Sequence, residues 1–132
     1  METKYLKEQS LSESTFQWVK EKYLAIDSKN LDGFAKHLDE SCTLQFGNNP
    51  IVNSKADVLI GIAAFWQSVA GLNHHFINLI GTDTLLALEA LIQYTRINGK
   101  VVKIPCVTII ERNEKALATS IRIFLDTTPV YA

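Results

Sequence analysis

The stretch GLNHHFINLIGTDTLLALEALIQYTRINGKVVKIPCVTIIERNEKALATSIRIFLD, Gly71 to Asp126, decides the fold. It contains four long runs rich in β-branched and apolar residues: LNHHFINLI, TLLALEALIQYTRI, KVVKIPCVTIIER and ALATSIRIFLD. Only GTD, NGK and NEK separate them. Breaks this short fold each run directly back on the one before, which makes antiparallel neighbours. Asn98-Gly99 is the strongest hairpin signal, because both residue types tolerate positive φ. Pro105 lies inside the third run, where proline removes a ladder hydrogen bond. An edge position or a bulge is expected there, and bulges help a sheet curl.

Upstream the periodicity is helical. LSESTFQWVKEKYLAIDSKN, residues 11–30, carries Phe16, Val19, Tyr23 and Ile26 at three- and four-residue spacings. Ser12 or Ser14 can cap its start. NLDGFAKHLDE, residues 30–40, predicts a shorter second helix with Leu31, Phe34, Ala35 and Leu38 on one side. SCTLQFG alternates Cys42, Leu44 and Phe46 with polar neighbours, a strand pattern, and GNNP turns the chain. SKADVLIGIAAFWQSVAG, residues 54–71, predicts a third helix capped by Ser54, with Leu59, Ile62, Ala63, Trp66 and Val69 in a stripe. The expectation is a single domain over residues 1–132: an α+β fold with three N-terminal helices against a strongly curved antiparallel sheet. A curled sheet backed by helices leaves a concave face and a cone-shaped cavity.

Composition narrows the function classes. The chain has 132 residues, 47% hydrophobic and 20% charged, with a formal net charge of -1. A domain of this size buries about two thirds of its unfolded surface. No Lys/Arg run is present, which argues against nucleic acid and against an anionic membrane surface as partners. VLIGIAAFWQSVAGL is too short to span a bilayer. The amino end, METKYLKEQS, has no secretory pattern, so a cytoplasmic location is expected. Cys42 and Cys106 are expected as buried free thiols. No HExxH or clustered cysteine pattern points to a metal, and nothing demands a cofactor.

The candidate site residues follow from strand parity. In the last strand Arg122, Phe124 and Asp126 share one face, and Ile121, Ile123 and Leu125 share the other. The second face reads as buried. The mixed face fits a cavity wall or solvent. In a cavity, desolvation would raise the Asp126 pKa and a neighbouring Arg122 would lower it, giving a carboxylate able to take a proton. His74 and His75 point to opposite faces; His74 shares its side with Phe76 and Asn78 and could relay protons. In the second long run Glu89, Leu91 and Gln93 share one face, and Ile92, Tyr94 and Arg96 the other. One of the two sets lines the cavity. Phe46 and Trp66 are candidate wall aromatics, and Trp18, off the main stripe of its helix, is a candidate for the cavity mouth.

The ordered segments LDGFAKHLDESCTLQFGNNP, GLNHHF, YTRINGKVVKIPCVTII and IRIFLDTTPV resemble the SnoaL-like branch of the nuclear transport factor 2-like superfamily. The resemblance covers nearly the whole chain from about Trp18. It implies a cystatin-like cone of helices and curved sheet around a mostly apolar pocket, and a homodimer. Relatives include polyketide cyclases, ketosteroid isomerase and limonene epoxide hydrolase. By the resemblance, His74 matches a histidine that opens the first long strand. Asp126 matches the aspartate that closes the last, with Phe124 in place of the tyrosine usual two positions earlier. The expected function is a pocket for an apolar small molecule. The chemistry expected there is acid–base isomerisation or cyclisation of a carbonyl compound, with Asp126, His74 and Arg122 as catalytic candidates. The candidate ligand contacts are Trp18, Phe46, Trp66, Glu89, Tyr94, Arg96 and Phe124. The alternatives are a noncatalytic binding or dimerisation module and epoxide hydrolase-like activation of water.

Overall fold

Helix α1 spans Glu13–Asp27 and starts where the Ser12 hydroxyl accepts from the Thr15 backbone N–H. The computed structural model describes residues 11–132, so the reading of the amino end lies outside the described residues. The stripe that α1 buries is Thr15, Val19, Lys22 and Tyr23, while Phe16 is 45% exposed. The helix is thus rotated from the expected stripe, and a lysine takes a core position. Helix α2 is only Leu31–Ala35, capped by Asn30. The predicted second helix ends early because the His37 carbonyl accepts from the Ala118 N–H at 2.8 Å, which commits the chain to the sheet. Strand β1, Leu38–Phe46, therefore begins inside the segment expected to be helical. After the two-residue strand β2, Val52–Asn53, helix α3 runs over Lys55–Gln67 with Ser54 as its cap.

The four long runs become β3 (Gly71–Gly81), β4 (Leu85–Thr95), β5 (Val101–Arg112) and β6 (Ala118–Phe124). A one-turn helix, α4 (Thr128–Tyr131), closes the described chain. The sheet order is β2-β1-β6-β5-β4-β3. All pairings are antiparallel except β1 with β6, which is parallel, so the sheet is mixed. The crossover through α3 and three hairpins brings β6 back beside β1, which hairpin reasoning alone does not reach. Gly99 takes φ +87° in the β4–β5 turn as expected of Asn-Gly. Gly81 is obligatory: at φ +131° a Cβ would lie 2.1 Å from the Leu85 carbonyl oxygen. Pro105 pairs with Leu91 on β4, but β6 joins β5 only from Val107 onward. The proline therefore sits where β5 has one open edge, the compromise expected for it.

The sheet is curved but not closed. Register shifts interrupt β3 at Phe76/Asn78, β1 at Leu38/Thr43 and the β5–β6 pair at Glu111/Arg112. Each adds local twist and bends the sheet around the helices. Helix α1 packs on β3, and α3 packs on β1. The inner faces of β4, β5 and β6 thus look into the gap between the helices. A polar clasp joins α1 to the β3–β4 turn. Asp83 in the β3–β4 turn accepts from the Ser12 and Thr15 hydroxyls at 2.8 and 2.6 Å. Arg112 donates to Thr15 Oγ1 and to the Asp83 carbonyl at 2.6 and 2.8 Å. These hydrogen bonds hold the Asp83 carboxyl below the usual carboxylate range and tie α1 to the sheet.

Candidate functional site

The gap encloses a cavity of about 50 Å³, room for a few water-sized groups. Its wall is mostly apolar: Ile92 of β4, Ile121 and Ile123 of β6, Leu44 and Phe46 of β1, and Ile62, Phe65 and Trp66 of α3. Five polar side chains interrupt it, those of Lys22, Tyr23, His74, Tyr94 and Thr108. Among the described residues no Asp or Glu lines it. A second hollow of about 190 Å³ lies beyond it, towards Pro50, Thr127 and Tyr131. The two share Leu44, Phe46, Ile62 and Phe65. The Phe46 and Phe65 rings, 4.8 Å apart, therefore stand between the two hollows.

Two groups on the wall carry chemistry. The first is His74 with Asp27. Asp27 is the last residue of α1, and β3 is an edge strand with free backbone donors. The Asp27 carboxylate takes both the His74 backbone N–H at 2.9 Å and the ring Nδ1 at 2.6 Å. With Nδ1–H donating to the carboxylate, Nε2 is left as the ring's proton acceptor. Tyr23 packs edge-on against the imidazole at 4.8 Å and Phe76 stacks near it at 5.9 Å; the two rings also meet each other at 4.7 Å, so the three form one aromatic cluster.

The second is Lys22. Its side chain is 2% exposed, and burial lowers its pKa from the ordinary lysine value to about 7. The protonated thiols of Cys42 and Cys106 lie close enough to influence it, and burial pushes Cys42 up to about 11. Both cysteines are free and buried. Burial also raises the phenols of Tyr23 and Tyr94, which keep their protons and can donate a hydrogen bond.

The expected site residues divide accordingly. His74, Phe46, Trp66 and Tyr94 line the cavity. Of the two face sets on β4, the inner one holds Ile92 and Tyr94. Arg96 lies beyond the cavity and donates to the Ala132 carbonyl. Glu89 is exposed on the outer face, accepting from Asn78 at 2.7 Å. On β6 the uniformly apolar face looks inward, and the mixed face looks out. Arg122 there pairs with Glu111 at 2.6 Å, a diagonal pair across β5 and β6. Phe124 is 57% exposed. Asp126 is exposed just ahead of α4, accepting from the Thr128 N–H and hydroxyl at 2.9 and 2.6 Å; those bonds lower its pKa. The proton-transfer role expected of it has no enclosed substrate to act on at that position. Trp18 is not at the mouth: it packs under Arg112, 4.6 Å from ring to guanidinium, and edge-on to His37.

Lys22 and Asp27 escaped the sequence reading, yet both left a trace. Lys22 completes the 15-19-22-26 spacing of α1, where a cation breaks the apolar stripe. Asp27 puts a negative charge at a helix C-terminus, against the helix dipole. Local rules broken in this way often mark functional positions.

The architecture is that of the NTF2-like and SnoaL-like proteins, an α+β cone. No family model matches the chain, and no curated protein matches it in sequence. Solved structures do match. An NTF2-like protein of unknown function from Burkholderia pseudomallei superposes with a TM-score of 0.81 at 15% identity, covering 92% of this chain and 100% of that one. A SnoaL-like polyketide cyclase from Shewanella denitrificans gives 0.75 at 11% identity, covering 87% and 92%. A LEH-like epoxide hydrolase from M. tuberculosis gives 0.73 at 10% identity, covering 89% and 86%. At these identities the likeness establishes the fold. Among the described residues no helix is long and apolar enough to cross a membrane.

Proposed function

We propose that the protein is an acid–base enzyme that binds a small, mostly apolar carbonyl compound in the cavity. His74 moves the proton at the carbon next to the carbonyl, as in isomerisation or ring closure. The observation that carries this reading is the His74–Asp27 pair at 2.6 Å, with His74 on the wall of a mostly apolar hollow. Asp27 fixes the tautomer and stabilises the imidazolium that forms when Nε2 takes the proton. Tyr94 or Tyr23, each still protonated, supplies the donor for the oxygen on which negative charge develops. A ligand larger than a few atoms extends past Phe46 and Phe65 into the second hollow.

The noncatalytic alternative uses the same cavity for binding alone. Epoxide hydrolysis draws no support from a wall without carboxylates among the described residues. A homodimer fits the outer sheet face, where Val107 and Phe124 pair across strands and are 38% and 57% exposed. Two unbridged buried thiols fit a reducing compartment such as the cytoplasm.

The test is deuterium exchange at the carbons flanking the carbonyl of cyclopentanone, followed by proton NMR in heavy water. Wild type is expected to accelerate exchange. H74Q is expected to lose on the order of 10²-fold of that acceleration, with D27N reduced alongside it. Ketone binding with no acceleration in wild type would leave the binding-module reading in its place.

A further inference from the structure

Lys22 is the titratable group of the wall that proton transfer by His74 does not use. Its Nζ lies over the Tyr23 ring at 4.2 Å and 5.4 Å from the Phe34 ring centroid. No carboxylate lies within ion-pair distance of it among the described residues. A lysine needed only for packing would be replaceable by a hydrocarbon, and one needed for charge would be paired. This one is 2% exposed and lines the cavity with its amine unpaired among the described residues. The π faces of Tyr23 and Phe34 favour its cationic form, which partly offsets desolvation. With a pKa of about 7, roughly half of the amines at neutral pH are uncharged and hold a free lone pair.

We infer that Lys22 is a nucleophile that forms an imine with an aldehyde or ketone bound in this cavity. The uncharged Nζ attacks the carbonyl carbon; the C–N bond forms as the carbonyl π electrons move to oxygen. One amine proton transfers to that oxygen, giving a carbinolamine. The hydroxyl then leaves, the nitrogen loses its second proton, and the two combine as water while the C=N bond forms. The balance is amine plus carbonyl to imine plus water, with no oxidant or reductant. Protonated, the imine withdraws electrons from the adjacent carbon more strongly than the parent carbonyl does, which eases removal of the neighbouring proton. The inference rests on a carbonyl compound entering the cavity, as in the proposed function, but not on His74 acting as the base.

The experiment is reductive trapping. Wild-type protein at pH 7 is incubated with butanal or cyclopentanone and cyanoborohydride, then digested and mapped by mass spectrometry. An ordinary surface lysine has an uncharged fraction at pH 7 smaller by on the order of 10³ than a lysine of pKa about 7. The expected result is an alkylated Lys22 at low occupancy of every other lysine, and loss of that preference in urea. Alkylation of surface lysines with Lys22 unmodified overturns the inference. Two variants separate it from the proposed function. H74Q is expected to keep the Lys22 adduct while losing the exchange reaction. K22M exchanging as fast as wild type, with no adduct in wild type, would overturn the imine and leave proton transfer by His74 standing.

Discussion

Replacing Lys22 with methionine keeps most of the side-chain volume and removes the charge, so its effect on stability is predicted to depend on pH. In the folded protein the amine releases its proton near pH 7, against an ordinary value of 10.5. Between those values the unfolded chain binds more protons than the folded one, so wild-type stability rises with pH. From pH 6 to 8.5 the rise from this group is about 2 kcal/mol. Below pH 7 the unfavourable burial of the cation is fully present, up to about 5 kcal/mol relative to an exposed lysine. K22M is therefore expected to be more stable than wild type by a few kcal/mol at pH 6, with the difference shrinking by about 2 kcal/mol at pH 8.5. The Cys42 thiol, pushed up to about 11 from 9.0, gives the opposite slope above pH 9, so the range stops short of it. His37 is lowered chiefly by burial and in part by the Lys22 charge, so losing that charge in K22M weakens its shift and adds to the same pH trend. The assay is urea unfolding followed by tryptophan fluorescence from Trp18 and Trp66. Parallel curves for the two proteins across the whole range would refute the claim that Lys22 is buried and uncharged near neutrality.

Three further outcomes are expected. F65A removes half of the partition between the hollows; it should cost about 3 kcal/mol of stability and widen the range of bound ketones toward bulkier rings, read by calorimetric titration. F124E puts a charge on the exposed outer face at the end of β6, and sedimentation should show wild type as a dimer and the variant shifted to monomer. D126N should leave cyclopentanone exchange at the wild-type rate, because the carboxylate is held by Thr128 outside the cavity; a loss matching that of H74Q would restore Asp126 as the base.

Much of the fold was legible because it rests on local signals. Asn98-Gly99 marks its hairpin, Ser12 and Ser54 cap their helices, and the alternation of Cys42, Leu44 and Phe46 marks β1. The helical reading of Leu38 to Glu40 failed because a backbone bond from Ala118, far along the chain, outweighs local propensity there. Strand parity gave the right groupings on β4 and β6 and the buried apolar face of β6, but not which set on β4 faces inward. On β4 both faces are apolar enough to be buried, and Tyr94 faces inward because the helices lie on that side. On β6 the charged Arg122 and Asp126 drew attention to the mixed face, whereas Ile121 and Ile123 form the wall. The pairing of Asp27 with His74 joins residues 47 apart, which neither periodicity nor spacing encodes. Lys22 was hidden by the habit of reading lysines as solvated; only its place within the stripe sets it apart.

The central claim is that small carbonyl compounds enter the hollow between α1, α3 and the inner sheet. The direct measurement is a methyl-resolved NMR titration of isoleucine-labelled protein with cyclopentanone. Ile62, Ile92, Ile121 and Ile123 line the hollow, while Ile60, Ile77 and Ile97 are exposed. Saturable shifts confined to the first set are predicted. Shifts confined to the second set, or none at all at millimolar ketone, would contradict it.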